Sequence, residues 1–252
     1  LYELGKQLNW TVTDDLDWSQ NFPKDEFMIN SEIFKAPEVE LEGYDALSHE
    51  KKIEMDRHRV AWNISQFLHG EQGALLVASQ LVSCAPTFNA KMYAASQTFD
   101  EARHVEGFNR YLKEKIGFQY PATKGLKSLM DKILTDERWD LKFIGMQIII
   151  EGLALAAFNN MKFILNDGLL KQLLHYVIRD EARHVTFGVN YLEDYLKTLS
   201  KSEIEERAEF AFEACLVMRG RLISGEVVAK FLDYTPEEAD RIAFESDQGQ
   251  NF

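Results

Sequence analysis

Carboxylates and imidazoles at matched spacings are what could do chemistry in this sequence. Asp100-Glu101-Ala102-Arg103-His104-Val105 recurs as Asp180-Glu181-Ala182-Arg183-His184-Val185. The same offset carries Tyr111-Leu112 to Tyr191-Leu192, and Glu71, Ala74 and Leu75 to Glu151, Ala154 and Leu155. Each half therefore holds a lone glutamate and, thirty residues later, a Glu-x-x-His. Residues three apart share a helix face, so Glu101 points with His104 and Glu181 with His184. Four carboxylates converging on one dry point repel and cannot all ionise. Two divalent cations balance them, and mixed carboxylate and imidazole ligation suits iron or manganese. The candidate metal ligands are thus Glu71, Glu101, His104, Glu151, Glu181 and His184. Asp100 and Asp180 are read as acceptors for the imidazole N–H groups, with Arg103 and Arg183 balancing their charge.

Such a site needs four helices. If each lone glutamate and its Glu-x-x-His lie at one depth on antiparallel neighbours, the turn falls midway between them. The midpoint of 71 and 101 is Pro86, and that of 151 and 181 lies in Asn166-Asp167-Gly168. Apolar residues three and four apart in long proline-free stretches predict helices at roughly 52–84, 87–116, 137–166 and 168–199. A fifth is expected over 202–231 and a short one after Pro236, with Thr235 as its N-cap. Residues 1–50 read as an irregular arm that packs Trp10, Trp18, Phe22 and Phe27 on the body. The expected fold class is all-α, a ferritin-like four-helix bundle with an irregular N-terminal arm and extra C-terminal helices. It is one domain over 1–252: arm 1–50, metal-binding bundle 52–199, C-terminal helices 200–252. Two glutamates and two Glu-x-x-His pairs on four helices are the ligand set of ferritin-like dinuclear carboxylate proteins.

The bulk numbers narrow the partners. A formal charge of -13 offers no basic stripe for phosphates, so no nucleic acid is expected. No run of 18 apolar residues appears, so no membrane span is expected. Two cysteines, Cys84 and Cys215, make no disulfide framework and point to a reducing, cytoplasmic setting. The first residues do not resemble a signal peptide.

At the Asp-Glu-x-Arg-His motifs the sequence resembles the di-iron carboxylate oxygenase and oxidase superfamily, including bacterial multicomponent monooxygenases and acyl-carrier-protein desaturases. Glu151-Gly-Leu-Ala-Leu-Ala-Ala-Phe-Asn159 and Asp180-Glu-Ala-Arg-His-Val-Thr-Phe-Gly188 look more like the aldehyde-deformylating oxygenases. The resemblance covers about 52–199. It implies two Fe ions, or Mn and Fe, on the six ligands. It also implies dioxygen and a small, apolar organic substrate as reactants, and an electron donor such as ferredoxin or a reductase; a homodimer is compatible with it. Departures narrow the choice. Four residues after His104, where the ribonucleotide reductase radical subunit usually carries its tyrosine, stands Phe108. Leu155 takes the place of the threonine that many monooxygenases put four residues after the third-helix glutamate. His175, six residues before Glu181, is off the Glu181 face and reads as a polar or capping residue, not the seventh ligand of the arylamine N-oxygenases.

Other residues read as structural. His49, His58 and His69 suit surface or core, and Cys84 a turn. Tyr93, Tyr111, Tyr176 and Tyr191 are explained by packing, while Ala94, Ala95, Ala154, Ala156 and Ala157 suit either close helix packing or an apolar channel. The leading expectation is a dioxygen-activating di-iron oxygenase or oxidase. The alternatives are a radical-subunit-like oxidase and ferritin- or rubrerythrin-like iron oxidation and peroxide reduction. No rubredoxin-like cysteine quartet supports the last.

Overall fold

The computed structural model describes residues 1–219 and 224–245. Among the described residues ten α-helices follow in order: α1 Tyr2–Gln7, α2 His49–Cys84, α3 Phe88–Tyr111, α4 Lys124–Thr135, α5 Trp139–Phe143, α6 Glu151–Ile164, α7 Gly168–Leu196, α8 Lys201–Arg219, α9 Gly225–Phe231 and α10 Pro236–Glu245. A π-helical segment, Ile144–Ile150, joins α5 to α6 without a break, and a second, Leu112–Ile116, extends α3. The fold class is the all-α ferritin-like bundle expected.

Two antiparallel hairpins, α2/α3 and α6/α7, form the core. Both turns fall where the glutamate spacing places them. Between α2 and α3, Thr87 caps the second helix by accepting from the Ala90 N–H at 3.3 Å. Between α6 and α7, the Asp167 carboxylate accepts from the Leu170 N–H at 2.8 Å. The other Asp167 oxygen accepts from the Tyr111 hydroxyl at 2.9 Å, which ties the end of the first hairpin to the turn of the second. α7 then presents Leu169, Leu170, Leu173, Leu174 and Val177, all at most 2% exposed. Burying each contributes roughly 1.5–3 kcal/mol relative to exposure.

Three expectations change. A helix absent from the sequence reading, α4, covers α2: Leu126, Leu129, Met130 and Ile133 are buried, and Thr123 caps it. Its C-terminal carbonyls at Ile133 and Leu134 accept from the buried Lys142 ammonium at 2.9 and 3.2 Å. The single helix expected over 202–231 is two, α8 and α9, with residues 220–223 outside the described residues. α9 cannot simply continue α8, because the Gly225 N–H donates to Asp240 and pins α9 against α10. A Cβ at Gly225 would lie 2.3 Å from that carboxylate and 2.4 Å from the Pro236 carbonyl. Finally, Trp139–Ile164 is long and apolar enough, by length and composition, to cross a membrane. More than half of that window is buried in the bundle, which accounts for its apolarity, and it carries the buried polar Gln147 and Glu151.

The arm packs much as its aromatics predict, with the short α1 and a 3-10 turn at Pro37–Glu40. Trp10 is 2% exposed. The Met28 and Ile29 N–H groups donate to the buried Asp56 carboxylate, and Asn30 N–H donates to the Ile164 carbonyl at 2.8 Å. Thr235 caps α10 in a reciprocal pair with Glu238, as its position before Pro236 predicts.

Candidate metal centre

α2 brings Glu71, α3 brings Glu101 and His104, α6 opens with Glu151, and α7 brings Glu181 and His184. All six meet at one place in the bundle, each 5% exposed or less. Their ligand atoms form two overlapping groups, Glu71, Glu101, His104 and Glu181, and Glu101, Glu151 and His184. The imidazole centroids stand 6.0 Å apart. His104 Nδ1 lies 3.1 Å from Glu71, 3.3 Å from Glu101 and 3.2 Å from Glu181. His184 Nδ1 lies 3.1 Å from Glu101 and 3.5 Å from Glu181. Glu101 and Glu181 thus sit between the two histidines, while Glu71 and Glu151 lie at the ends.

The far side of each imidazole meets an aspartate, and the connection crosses between hairpins. His104 Nε2 faces Asp180 at 3.3 Å, and His184 Nε2 faces Asp100 at 3.2 Å. Both arginines join both aspartates. Arg103 donates to Asp100 and, at 3.1 Å, to Asp180; Arg183 donates to Asp180 at 2.7 Å and to Asp100 at 2.9 Å. An aspartate that accepts the Nε2 proton fixes the tautomer and leaves the Nδ1 lone pair aimed at the carboxylates. Trp10 of the arm donates its indole N–H to Asp180 at 2.7 Å, and Asn9 accepts from Arg103. The arm thus closes the arginine side of the site.

The electrostatics show a strained charge balance. Burial, and then the charge of Glu181, push the Glu71 and Glu151 carboxyls well above the usual carboxylate range. Burial acts on Glu101 in the same sense, but the adjacent His184 and His104 hold it below that range. Burial disfavours charge on His104 and His184, yet the surrounding carboxylates raise both well above an ordinary imidazole. Imidazolium charge is thus the compensation these side chains themselves can offer. Even so, both Glu181 oxygens, one oxygen each of Glu101 and Glu151, and His184 Nδ1 are buried without a hydrogen-bond partner. Orphaned acceptors grouped around one point are what bound cations would satisfy, so the donor set fits two metal ions.

Two further residues belong to the site. The Gln97 amide donates to Glu101 at 3.1 Å and to Glu151 at 2.8 Å, and Gln147 donates to the Gln97 carbonyl oxygen at 3.5 Å. Each glutamine stands four residues before a candidate ligand, Glu101 or Glu151, a signal present in the sequence.

The residues read as structural stay outside the cluster. His175 is exposed beside Lys162 at 3.2 Å. His58 bonds the Tyr120 hydroxyl, His69 faces the Tyr120 carbonyl, and His49 lies against Phe27. Phe108 is fully buried between Phe67 and Phe158. Cys84 is half-buried at the end of α2. Ala94 is buried, while Ala95 and Ala156 are exposed. Tyr191 bonds Thr87 and Tyr176 stacks on Trp10, but the buried Tyr93 hydroxyl has no partner.

No family model matches the chain, and no curated protein matches it. Solved structures do. A variant of an R2-like ligand-binding oxidase with an anaerobically reconstituted Mn/Fe cofactor is 18% identical, with 97% of this chain and 88% of that chain covered and a TM-score of 0.63. A second such variant is 17% identical at a TM-score of 0.65, with the same coverage. The R2-like ligand-binding oxidase from Sulfolobus acidocaldarius is 18% identical over 94% of this chain and 92% of that one, with a TM-score of 0.52. At these identities the likeness establishes the shared fold.

Proposed function

We propose that this chain is a non-haem dinuclear metal oxidoreductase that uses dioxygen to oxidise a small, apolar organic substrate, in the manner of a monooxygenase. The observation that carries the reading is the buried convergence of Glu71, Glu101, His104, Glu151, Glu181 and His184 with unpartnered acceptors aimed inward. Two Fe ions, or Mn and Fe, would be held by Glu71 and His104 at one end and Glu151 and His184 at the other, with Glu101 and Glu181 between. Bound there, a reduced pair supplies the electrons that dioxygen chemistry needs. The protein's own residues do the rest. Asp180 and Asp100 hold the imidazole orientation, Arg103 and Arg183 hold the aspartates, and Gln97 orients Glu101 and Glu151. The apolar cluster of Ala94, Phe143, Met146, Ile150 and Phe187 keeps bulk water away.

A second reading, a radical-subunit-like or ligand-binding oxidase with a Mn/Fe pair, is supported by what the matching structures hold. A ferritin-like iron store is the weaker alternative, because the candidate ligands are closed off from solvent. An electron donor such as ferredoxin or a reductase would complete the cycle.

The test loads the metal-free protein anaerobically with Fe(II), or with Mn(II) and Fe(II), measures metal per chain, and admits dioxygen with candidate acids, aldehydes and amines. About two ions per chain and substrate-accelerated oxygen uptake are expected. Far less than two ions, or uptake no faster than that of free metal, refutes the proposal.

A further inference from the structure

Beside the metal cluster, on its α6 side, lie two polar groups that the reading above does not use. The Tyr93 hydroxyl and Gln147 Oε1 are both buried and both lack a hydrogen-bond partner, as does Glu151 Oε2. Tyr93 is 4% exposed and Gln147 is fully buried. They belong to one neighbourhood. Tyr93 stands one helical turn before Gln97, which bonds both Gln147 and Glu151. The Tyr93 ring packs on Phe187 at 4.1 Å between centroids, and the next residue, Gly188, lies against the Gln147 side chain.

The orientation of Gln147 follows from the network. Carboxylates that hold a cation can only accept, so the Gln97 amide nitrogen must face Glu101 and Glu151. Its oxygen then faces Gln147, which must present its own amide nitrogen there. Gln147 Oε1 is left over as a free acceptor. Tyr93 offers a free donor. A buried donor and acceptor left unmade are costly, and native proteins satisfy them with water or ligand.

We infer that Tyr93 and Gln147 form a hydrogen-bonding subsite for a neutral protic group, the hydroxyl of an otherwise apolar alcohol or a water molecule in its place. This rests on the oxidoreductase reading and names the substrate's chemistry. A protic group can accept from Tyr93 and donate to Gln147 at once, which a hydrocarbon or an ether cannot. The four ligand carboxylates already balance two divalent cations, so an anionic head group would find no spare positive charge. Among the described residues the buried cations are committed: Arg103 and Arg183 to the aspartates, Arg207 to Asp140, and Lys142 to Gln80 and the end of α4. The surroundings are apolar, with Ala94, Phe143, Met146 and Ile150 in the same cluster. A hydrocarbon body attached to that hydroxyl would meet these apolar side chains.

The test uses Zn(II), which binds without redox chemistry. Zn(II)-loaded wild-type protein, Tyr93→Phe and Gln147→Met are titrated calorimetrically with 1-hexanol and with hexanoate, and the wild type is crystallised with and without 1-hexanol. Binding of 1-hexanol about tenfold tighter to wild type than to either variant, with hexanoate no tighter than 1-hexanol, assigns the subsite to substrate. An ordered water bonded to both Tyr93 and Gln147 that 1-hexanol does not displace assigns it to solvent. Neither of these, with about two zinc ions per chain present, overturns the subsite alone. Zinc far below two ions per chain in the wild type overturns the metal centre and this inference with it.

Discussion

Asp100→Asn should weaken the metal ion on the opposite hairpin, not the one beside it in sequence. Asp100 adjoins Glu101 and lies one turn from His104, so proximity along α3 predicts damage at the His104 end. The structure predicts the reverse, because Asp100 accepts from His184 at 3.2 Å while His104 relies on Asp180. Asparagine keeps the size but removes the charge and puts an N–H₂ or a weaker acceptor where His184 and Arg183 donate. Losing such a partner lowers metal affinity about 10- to 100-fold, or about 1.4–2.8 kcal/mol. The His104 end should change by only a few-fold. Cobalt(II) titration followed by absorption resolves the ends when each is disabled in turn. Added to Glu151→Gln, which removes the His184 end, Asp100→Asn should have little effect on the remaining ion. Added to Glu71→Gln, it should lower the affinity by the full factor, and Asp180→Asn should give the mirror result. Equal weakening in both backgrounds, or weakening at the His104 end alone, refutes the crossed arrangement.

Metal should stabilise the protein more as pH rises. Glu71, Glu151, His104 and His184 all have folded-state values raised above their unfolded ones, so the metal-free fold holds extra protons. That stabilisation is present below the unfolded values and is lost as pH climbs through the folded ones, whereas metal ions displace the same protons. The Mn(II)-induced gain in Tm should therefore be larger at about pH 8 than at about pH 6; a gain independent of pH contradicts this. Gly188→Ala would place a Cβ 2.5 Å from the Gln147 Cβ and should cost about 1–3 kcal/mol in urea unfolding; no change in midpoint would mean that α7 approaches the π-helical segment less closely. His58, depressed by burial from 6.5 to about 4, should stay neutral in the fold and erode stability as pH falls from about 6.5 towards 4. His58→Asn should flatten that acid limb in urea titrations, and an unchanged limb refutes the assignment.

The six candidate ligands were legible because duplication repeats them at one offset and the turns fall at the midpoints. The role of Asp100 and Asp180 as imidazole acceptors was legible too, but not that each serves the other hairpin, since no local pattern encodes which neighbour a side chain reaches. Trp10 was read as an arm aromatic packed on the body; its bond to Asp180 spans 170 residues and has no sequence signature. Gln97 and Gln147 were visible, each one turn before a candidate ligand glutamate, but amides are common on helices and gave no cue. α4 carries an amphipathic set at Leu126, Leu129, Met130 and Ile133, overshadowed by Pro121 and Gly125 nearby. The division between α8 and α9 depends on Asp240 capturing Gly225, a contact that a helical pattern over 202–231 cannot reveal.

The crossed lattice of two aspartates and two arginines makes the two sides of the centre mechanically unequal. α3 and α7 cannot slide past one another without breaking several charge-assisted bonds together, so the imidazoles keep their separation. Glu151, by contrast, begins α6 directly after a π-helical segment, where helical register is easily altered. Exchange of one cation for another of different radius should then be absorbed by movement of Glu151, with the histidines as the fixed datum. The crossing also means that neither half of the duplicated chain supplies the aspartate on which its own histidine relies. A single hairpin of this design would meet its missing aspartate only in another hairpin.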